Sequence, residues 1–153
     1  MRKMGLCVLV ATLWIAPRPA SAGWLAEGSF GIPFATNQGW SSGQLNFMLT
    51  PGYGILDDIL RAELGLVANF ASVQGSSFNV GLRPMIALHP PILPLYGKLI
   101  FDWNDIGNGS TTALGGAIGT SFGLGFLSLF LEGGYLPRSV NVFELRAGLA
   151  LAL

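Results

Sequence analysis

The chain has 153 residues, of which 51% are hydrophobic and only 10% charged, with 22 glycines and a mean hydropathy of +0.56. Charged residues make up about 25% of an ordinary soluble domain, so this composition argues against one. With a formal net charge of zero, nothing in the composition is basic enough to suggest nucleic acid.

Residues 1–22 have the form of a secretory signal. Arg2 and Lys3 supply the positive start, Leu6–Ala16 the apolar core, and Ala20-Ser21-Ala22 a small-residue cleavage site. The apolar core is too short to cross a bilayer, and Pro17 and Pro19 end it. Its removal leaves one domain, residues 23–153, with five Lys/Arg against eight Asp/Glu and a net charge of −3. Cys7 is the only cysteine and leaves with the signal, so no thiol, disulfide or cysteine metal site is expected.

The remaining segments alternate apolar and polar residues with the period of a strand. Trp24–Phe34 sets Trp24, Ala26, Phe30, Ile32 and Phe34 against Glu27, Ser29 and Gly31. A polar, turn-rich stretch, Thr36–Ser42, separates it from Gln44–Tyr53. Asp57-Asp58 marks a turn into Leu60–Phe70, the clearest strand of all, with Leu60, Ala62, Leu64, Leu66, Ala68 and Phe70 on one face and Arg61 and Glu63 on the other. Gln74–Ser77 is the next turn, and Phe78–Leu88 the next strand. His89-Pro90-Pro91 breaks the ladder before Leu95–Trp103. Asn104–Ser110 is a loop. Ala113–Leu124 then carries large residues on one face and only Ala113, Gly115, Ala117, Gly119, Ser121 and Gly123 on the other. A tight turn at Gly125–Phe126 leads into Leu127–Tyr135. Pro137–Asn141 turns into a last strand in which Phe143, Leu145, Ala147, Leu149, Leu151 and Leu153 oppose Glu144 and Arg146.

Eight such segments present more apolar faces than one soluble core absorbs. An all-β, closed, eight-stranded antiparallel up-and-down transmembrane barrel absorbs them, with apolar faces outward to lipid and polar faces inward. The charges sort accordingly. Glu27, Arg61, Glu63, Arg83, Lys98, Asp102, Glu132, Glu144 and Arg146 fall on inward positions, and Asp57, Asp58, Asp105 and Arg138 in turns. None falls on the lipid face, where a central Arg or Lys costs about 2–4 kcal/mol. Outward aromatics gather at two levels: Phe34, Phe70, Phe78, Trp103, Tyr135 and Phe143 near the longer loops, Trp24 and Tyr53 near the other rim. These are the expected membrane-interface girdles.

Other signals have plainer readings. Ile106–Leu131 carries no charge and includes Gly115, Gly119 and Gly123, which suits a transmembrane helix with a dimerisation face. The same glycines suit the inward face of a strand against which large residues from across a barrel pack. An eight-stranded barrel is just wide enough for its side chains to fill, so the nine inward charges read as a paired ionic interior. A last hairpin symmetric about Ser139 sets Glu132 directly opposite Arg146, an expected pair. His89, the only histidine, reads as a turn residue, and Asp57-Asp58 as solvated acids. No metal, nucleotide or other cofactor motif is present. Pro33, Pro51 and Pro84 inside strands are expected to mark bulges or strand limits.

On this pattern the chain resembles the small eight-stranded outer-membrane barrels, the group of the OmpA membrane domain and of OmpX-like and OmpW-like proteins. Members usually end in an aromatic residue; this chain ends in Leu153 behind Leu149 and Leu151. The resemblance implies an outer-membrane protein in contact with outer-membrane lipids and, during biogenesis, with the barrel assembly machinery, and a monomer. A non-enzymatic envelope role with a plugged interior is expected. The alternatives are a narrow passage for small or apolar solutes, as in OmpW-like barrels, and a lipid-modifying enzyme. The deacylases of this size use a His and a Ser on an outward strand face, and this chain has no strand histidine.

Overall fold

The computed structural model describes residues 23–35, 45–70, 78–91, 93–106, 110–124, 126–138 and 141–153. The leader reading, the Thr36–Ser42 loop and the Gln74–Ser77 turn lie outside them. Eight strands follow in chain order: β1 (Trp24–Ala35), β2 (Leu45–Ile55), β3 (Leu60–Phe70), β4 (Asn79–Leu88), β5 (Leu95–Asn104), β6 (Thr111–Leu124), β7 (Leu127–Pro137) and β8 (Asn141–Ala152). Each pairs antiparallel with the next, and β1 pairs with β8, so the sheet closes into an up-and-down barrel. Closure satisfies every strand edge. Where a helix was the competing reading, Ile106–Leu131, the chain forms β6 and β7.

The strands tilt. The row Trp24↔Tyr53↔Ala62↔Ile86↔Leu99↔Gly116↔Tyr135↔Phe143 runs once around the barrel and returns to β1 at Phe34, ten residues beyond its start at Trp24. That stagger gives each inward side chain neighbours from several levels of the opposite wall.

The start of β1 and the end of β8 lie at one rim, here called the base, where Leu153 N–H donates to Trp24 O at 2.9 Å. The β2–β3 turn there is tight. In Leu56–Ile59, Ile59 N–H donates to Leu56 O at 3.1 Å, and Asp57 and Asp58 have φ of 54° and 68°. Those are the φ signs of the hairpin turn whose twist matches paired strands, and Asp tolerates them better than most side chains.

The prolines make gaps, not bulges. The β2–β3 ladder includes Leu49↔Leu66 and Gly52↔Glu63 but skips Pro51; β4–β5 includes Leu82↔Trp103 and Met85↔Ile100 but skips Pro84. Register is the same on both sides of each gap, so no residue has been inserted. The missing proline N–H accounts for the lost rung. Among the described residues Pro33 pairs toward β8, opposite Glu144.

Candidate functional site: the barrel interior

Strand alternation divides the wall. Leu49, Leu64, Leu99, Ile118 and Leu145 are exposed on the outside, while the alternating positions point inward and are mostly buried. Eight of the nine inward charged residues are buried, and Arg61 is partly so. They gather into two groups.

The basal group is built around one ammonium. Lys98 Nζ lies 2.8 Å from Glu63 Oε2, 3.2 Å from Glu132 Oε2 and 3.3 Å from Glu27 Oε2. These carboxylates come from β3, β7 and β1, so a single β5 side chain ties together three other strands. The ammonium also sits over the rings of Tyr96 and Phe130, 5.4 and 5.6 Å from their centroids, a favourable cation–π arrangement. Tyr96 Oη donates to Glu132 Oε2 at 3.1 Å, and the Tyr96 ring stacks on His89 at 4.7 Å. Arg61 approaches Glu27 at 3.7 Å but turns its fork onto Asp58, with Nε donating to Oδ1 at 2.5 Å and Nη2 to Oδ2. Asp58 is thus not merely a solvated turn acid.

The upper group is built from guanidinium forks. Arg83 donates through Nε to Asp102 Oδ1 at 2.6 Å and through Nη1 to Glu144 Oε2 at 2.8 Å. Arg146 donates to Glu144 Oε1, to Asn46 Oδ1 at 2.8 Å and to Ser29 Oγ at 2.9 Å. Asn46 Nδ2 donates to Glu144 Oε1 at 2.8 Å. From the upper turn, Arg138 reaches in and donates to Asp102 Oδ2 at 2.5 Å. Planar five-donor forks suit this lattice of carboxylates better than an ammonium would. An apolar set, Met48, Val67, Met85, Ile100, Ala117 and Leu136, packs together inside. Along β5 it separates the groups, since Ile100 is the inward residue between Lys98 and Asp102.

The register sets Glu132 directly opposite Arg146, yet the two make no ion pair with each other. Glu132 turns to Lys98 and Tyr96, and Arg146 to Glu144, Asn46 and Ser29. The reason is space. The position a Cβ would take on Gly31 is filled by Arg146, Glu144 and Asn46, so a glycine on β1 draws the guanidinium away from β7.

Other inward glycines are sockets too. The place of a Cβ on Gly119 is occupied by the Tyr96 ring, on Gly148 by Phe130, on Gly65 by Met48 Sδ, and on Gly115 by Leu136 and the Tyr135 carbonyl. The small-residue face of β6 is therefore filled at Gly119 and Gly115 from its two neighbouring strands, Tyr96 of β5 and Leu136 of β7, and not from across the barrel as expected. At the base a cavity of about 50 Å³ remains, bordered by Glu27, Asp58, Arg61, Tyr96, Ser121 and Ser128.

The aromatics of the outer face pair in the register the strands impose. Trp24 and Tyr53 meet edge-on at 5.4 Å near the base, while Phe70–Phe78 at 5.7 Å and Tyr135–Phe143 at 5.0 Å lie toward the other rim. Phe34 sits opposite Phe143, and Trp103 is exposed on β5. The Phe30–Phe47 pair, at 5.1 Å, lies between these levels.

The chain is similar to the crystal structure of Neisserial surface protein A, with a TM-score of 0.62 and 16% identity over 86% of this chain and 97% of that one. No protein-family model and no curated protein matches it. At that identity the likeness bears on the fold, a closed eight-stranded barrel.

Proposed function

We propose that the chain is an integral outer-membrane barrel, exported by a cleaved leader, with a non-enzymatic role in the integrity of the envelope and an interior that does not conduct. The observation that carries this reading is the partition of charge. An outer face of strands without a charged residue suits lipid, where unpaired charge is costly. The same strands hold nine charged residues inside, and all nine have ionic partners. Outer-membrane lipids and, during biogenesis, the barrel assembly machinery are the partners in this reading, and the barrel acts as a monomer.

The glycine sockets weigh against the alternative of a narrow solute passage, as in OmpW-like barrels. Its best support was the small-residue face of β6, and Tyr96 and Leu136 occupy the space at Gly119 and Gly115. His89 likewise offers little to a lipid-modifying reading, since it is buried at the base against Tyr96 instead of lying on an outward strand face.

Single-channel recording in planar bilayers is the test, using the purified chain whose band shifts on boiling. The expected result is a folded, heat-modifiable barrel that gives no discrete conductance steps. Regular steps from the folded form overturn the plugged reading and restore the passage.

A further inference from the structure

The turns at the base carry large apolar side chains where water-facing turns favour Gly, Asn, Asp and Ser. Leu56 of the β2–β3 turn, Leu93 of the β4–β5 turn and Phe126 of the β6–β7 turn are 63%, 52% and 71% exposed. Backbone bonds join these turns to the rim: His89 N–H donates to Ile59 O at 2.8 Å, and Ala152 N–H to Phe126 O at 3.0 Å. Among the described residues of these turns Asp57 is the one exposed charge, since Asp58 folds back onto Arg61.

Leu56 is the sharpest case. Its φ is 53°, a left-handed conformation that glycine or asparagine adopts at less cost than leucine. A side chain so exposed has little protein packing to offset that strain. The surroundings indicate what does. Ile55, before Leu56, and Leu88 and Leu95, on either side of the β4–β5 turn, are exposed on the outer wall. Phe126 borders the basal cavity together with Trp24 and Leu151, so it too adjoins that wall. Trp24 and Tyr53, the aromatic pair of this rim, mark the level of the membrane interface. Leu56 is three residues beyond Tyr53. At about 3.3 Å per residue and a tilt of about 40°, it lies at most about 8 Å further along the barrel axis. A headgroup layer is about 5–8 Å thick, so turns that start at the aromatic level end within its depth.

We propose that Leu56, Leu93 and Phe126 form a lipid-docking surface that holds the base of the barrel among the headgroups of the leaflet there. The inference rests on the outer-membrane reading and extends it from the wall to the turns. A bilayer suits this surface better than a protein partner does. The three side chains come from separate turns, each beside wall residues that already face lipid, and a surrounding leaflet reaches all of them at once. Apolar side chains placed this way also fix depth and tilt.

The test uses Leu56→Cys, Leu93→Cys and Phe126→Cys, each made singly in a Cys7→Ser chain, with Leu99→Cys in the middle of β5 as the wall reference. Each cysteine carries a small fluorophore, and each chain is folded into phosphatidylcholine vesicles and checked for a heat-modifiable band. Nitroxide on the lipid headgroup should quench all three base labels, and nitroxide in the acyl chains the Leu99 label. Replacing both Leu56 and Phe126 with Ser should weaken headgroup quenching of the Leu93 label about twofold, as two of three anchors are lost. The controls separate this inference from the reading beneath it. If lipid nitroxide does not reach the Leu99 label, the membrane reading fails and takes the docking surface with it. If Leu99 is quenched by lipid while the base labels respond only to iodide in water, the barrel reading stands and the docking surface is overturned. Base labels reached by neither quencher indicate cover by a second copy and overturn it equally. So does unchanged quenching at Leu93 in the folded double variant.

Discussion

The two charge groups inside the barrel solve one problem in different ways. The upper group is a lattice: Asp102 and Glu144 each touch two arginines, and Arg83 and Arg146 each have more than one acceptor. The basal group is a hub in which three carboxylates depend on Lys98. A lattice loses one member and keeps its other contacts, whereas a hub loses all of them together. The difference follows from donor chemistry. A guanidinium spreads five donors over a plane and bridges neighbours, while an ammonium concentrates its charge and collects partners around a point.

The sharpest way to break this comparison is to remove the hub. Lys98→Met keeps the stem and takes away the ammonium, stranding Glu63 and leaving Glu27 only the 3.7 Å approach of Arg61 and Glu132 only the Tyr96 hydroxyl. Breaking one buried pair costs about 3–5 kcal/mol, and here three share the loss. The variant is expected to lose at least that much in urea unfolding from lipid vesicles, or to fail to give a heat-modifiable band. Adding Glu63→Gln should recover part of the loss, because one stranded charge is then gone. A Lys98→Met barrel as stable as the parent would show that the hub is not one.

The matching change in the lattice is Glu144→Gln. Arg83 keeps Asp102, and Arg146 keeps Asn46 and Ser29. The expected cost is about 1–3 kcal/mol, that of weakened charged hydrogen bonds without a wholly stranded ion. Urea midpoints of the two variants measured side by side decide the point. An equal loss would remove the distinction between the groups.

The barrel itself was legible because strand period and charge parity are local properties. Leu60–Phe70 has the same limits in sequence and structure, and the helical reading of Ile106–Leu131 yields to β6 and β7. The partners inside were not legible. Glu132 and Arg146 are opposite in register, as hairpin symmetry about Ser139 requires, but partner choice inside depends on the ten-residue stagger around the barrel and on which wall has room. Gly31 gives Arg146 its room, and nothing in the local pattern of β1 connects that glycine to β8. Asp58 and Arg138 were assigned to turns because position alone says nothing of reach; both side chains fold back onto interior charges. Tyr96 is a third case. Its inward parity was visible, but its contacts with Gly119 and Glu132 join it to strands more than twenty residues away, which no local pattern shows.

The smallest effects test whether inward glycines are sockets or simply small. Gly119 and Gly123 are two inward positions apart on β6 and look alike in the sequence. The place of a Cβ on Gly119 is taken by the Tyr96 ring, which cannot swing aside without losing its bond to Glu132 and its stack on His89. At Gly123 the nearest atom to such a Cβ is Ser128 Oγ at 3.7 Å, an ordinary contact. Gly119→Ala should therefore cost about 1–3 kcal/mol, the range for overpacking a filled interior, and Gly123→Ala less than about 0.5 kcal/mol in either direction. Both are measured as shifts in the urea midpoint. Tyr96→Phe removes the hydroxyl, which is both the bond to Glu132 and one of the atoms a Cβ at residue 119 would meet, so in the double variant alanine should cost less than in the parent. If alanine at 119 is as harmless as at 123, the ring is free to move, and the base is packed more loosely than the Lys98 hub requires.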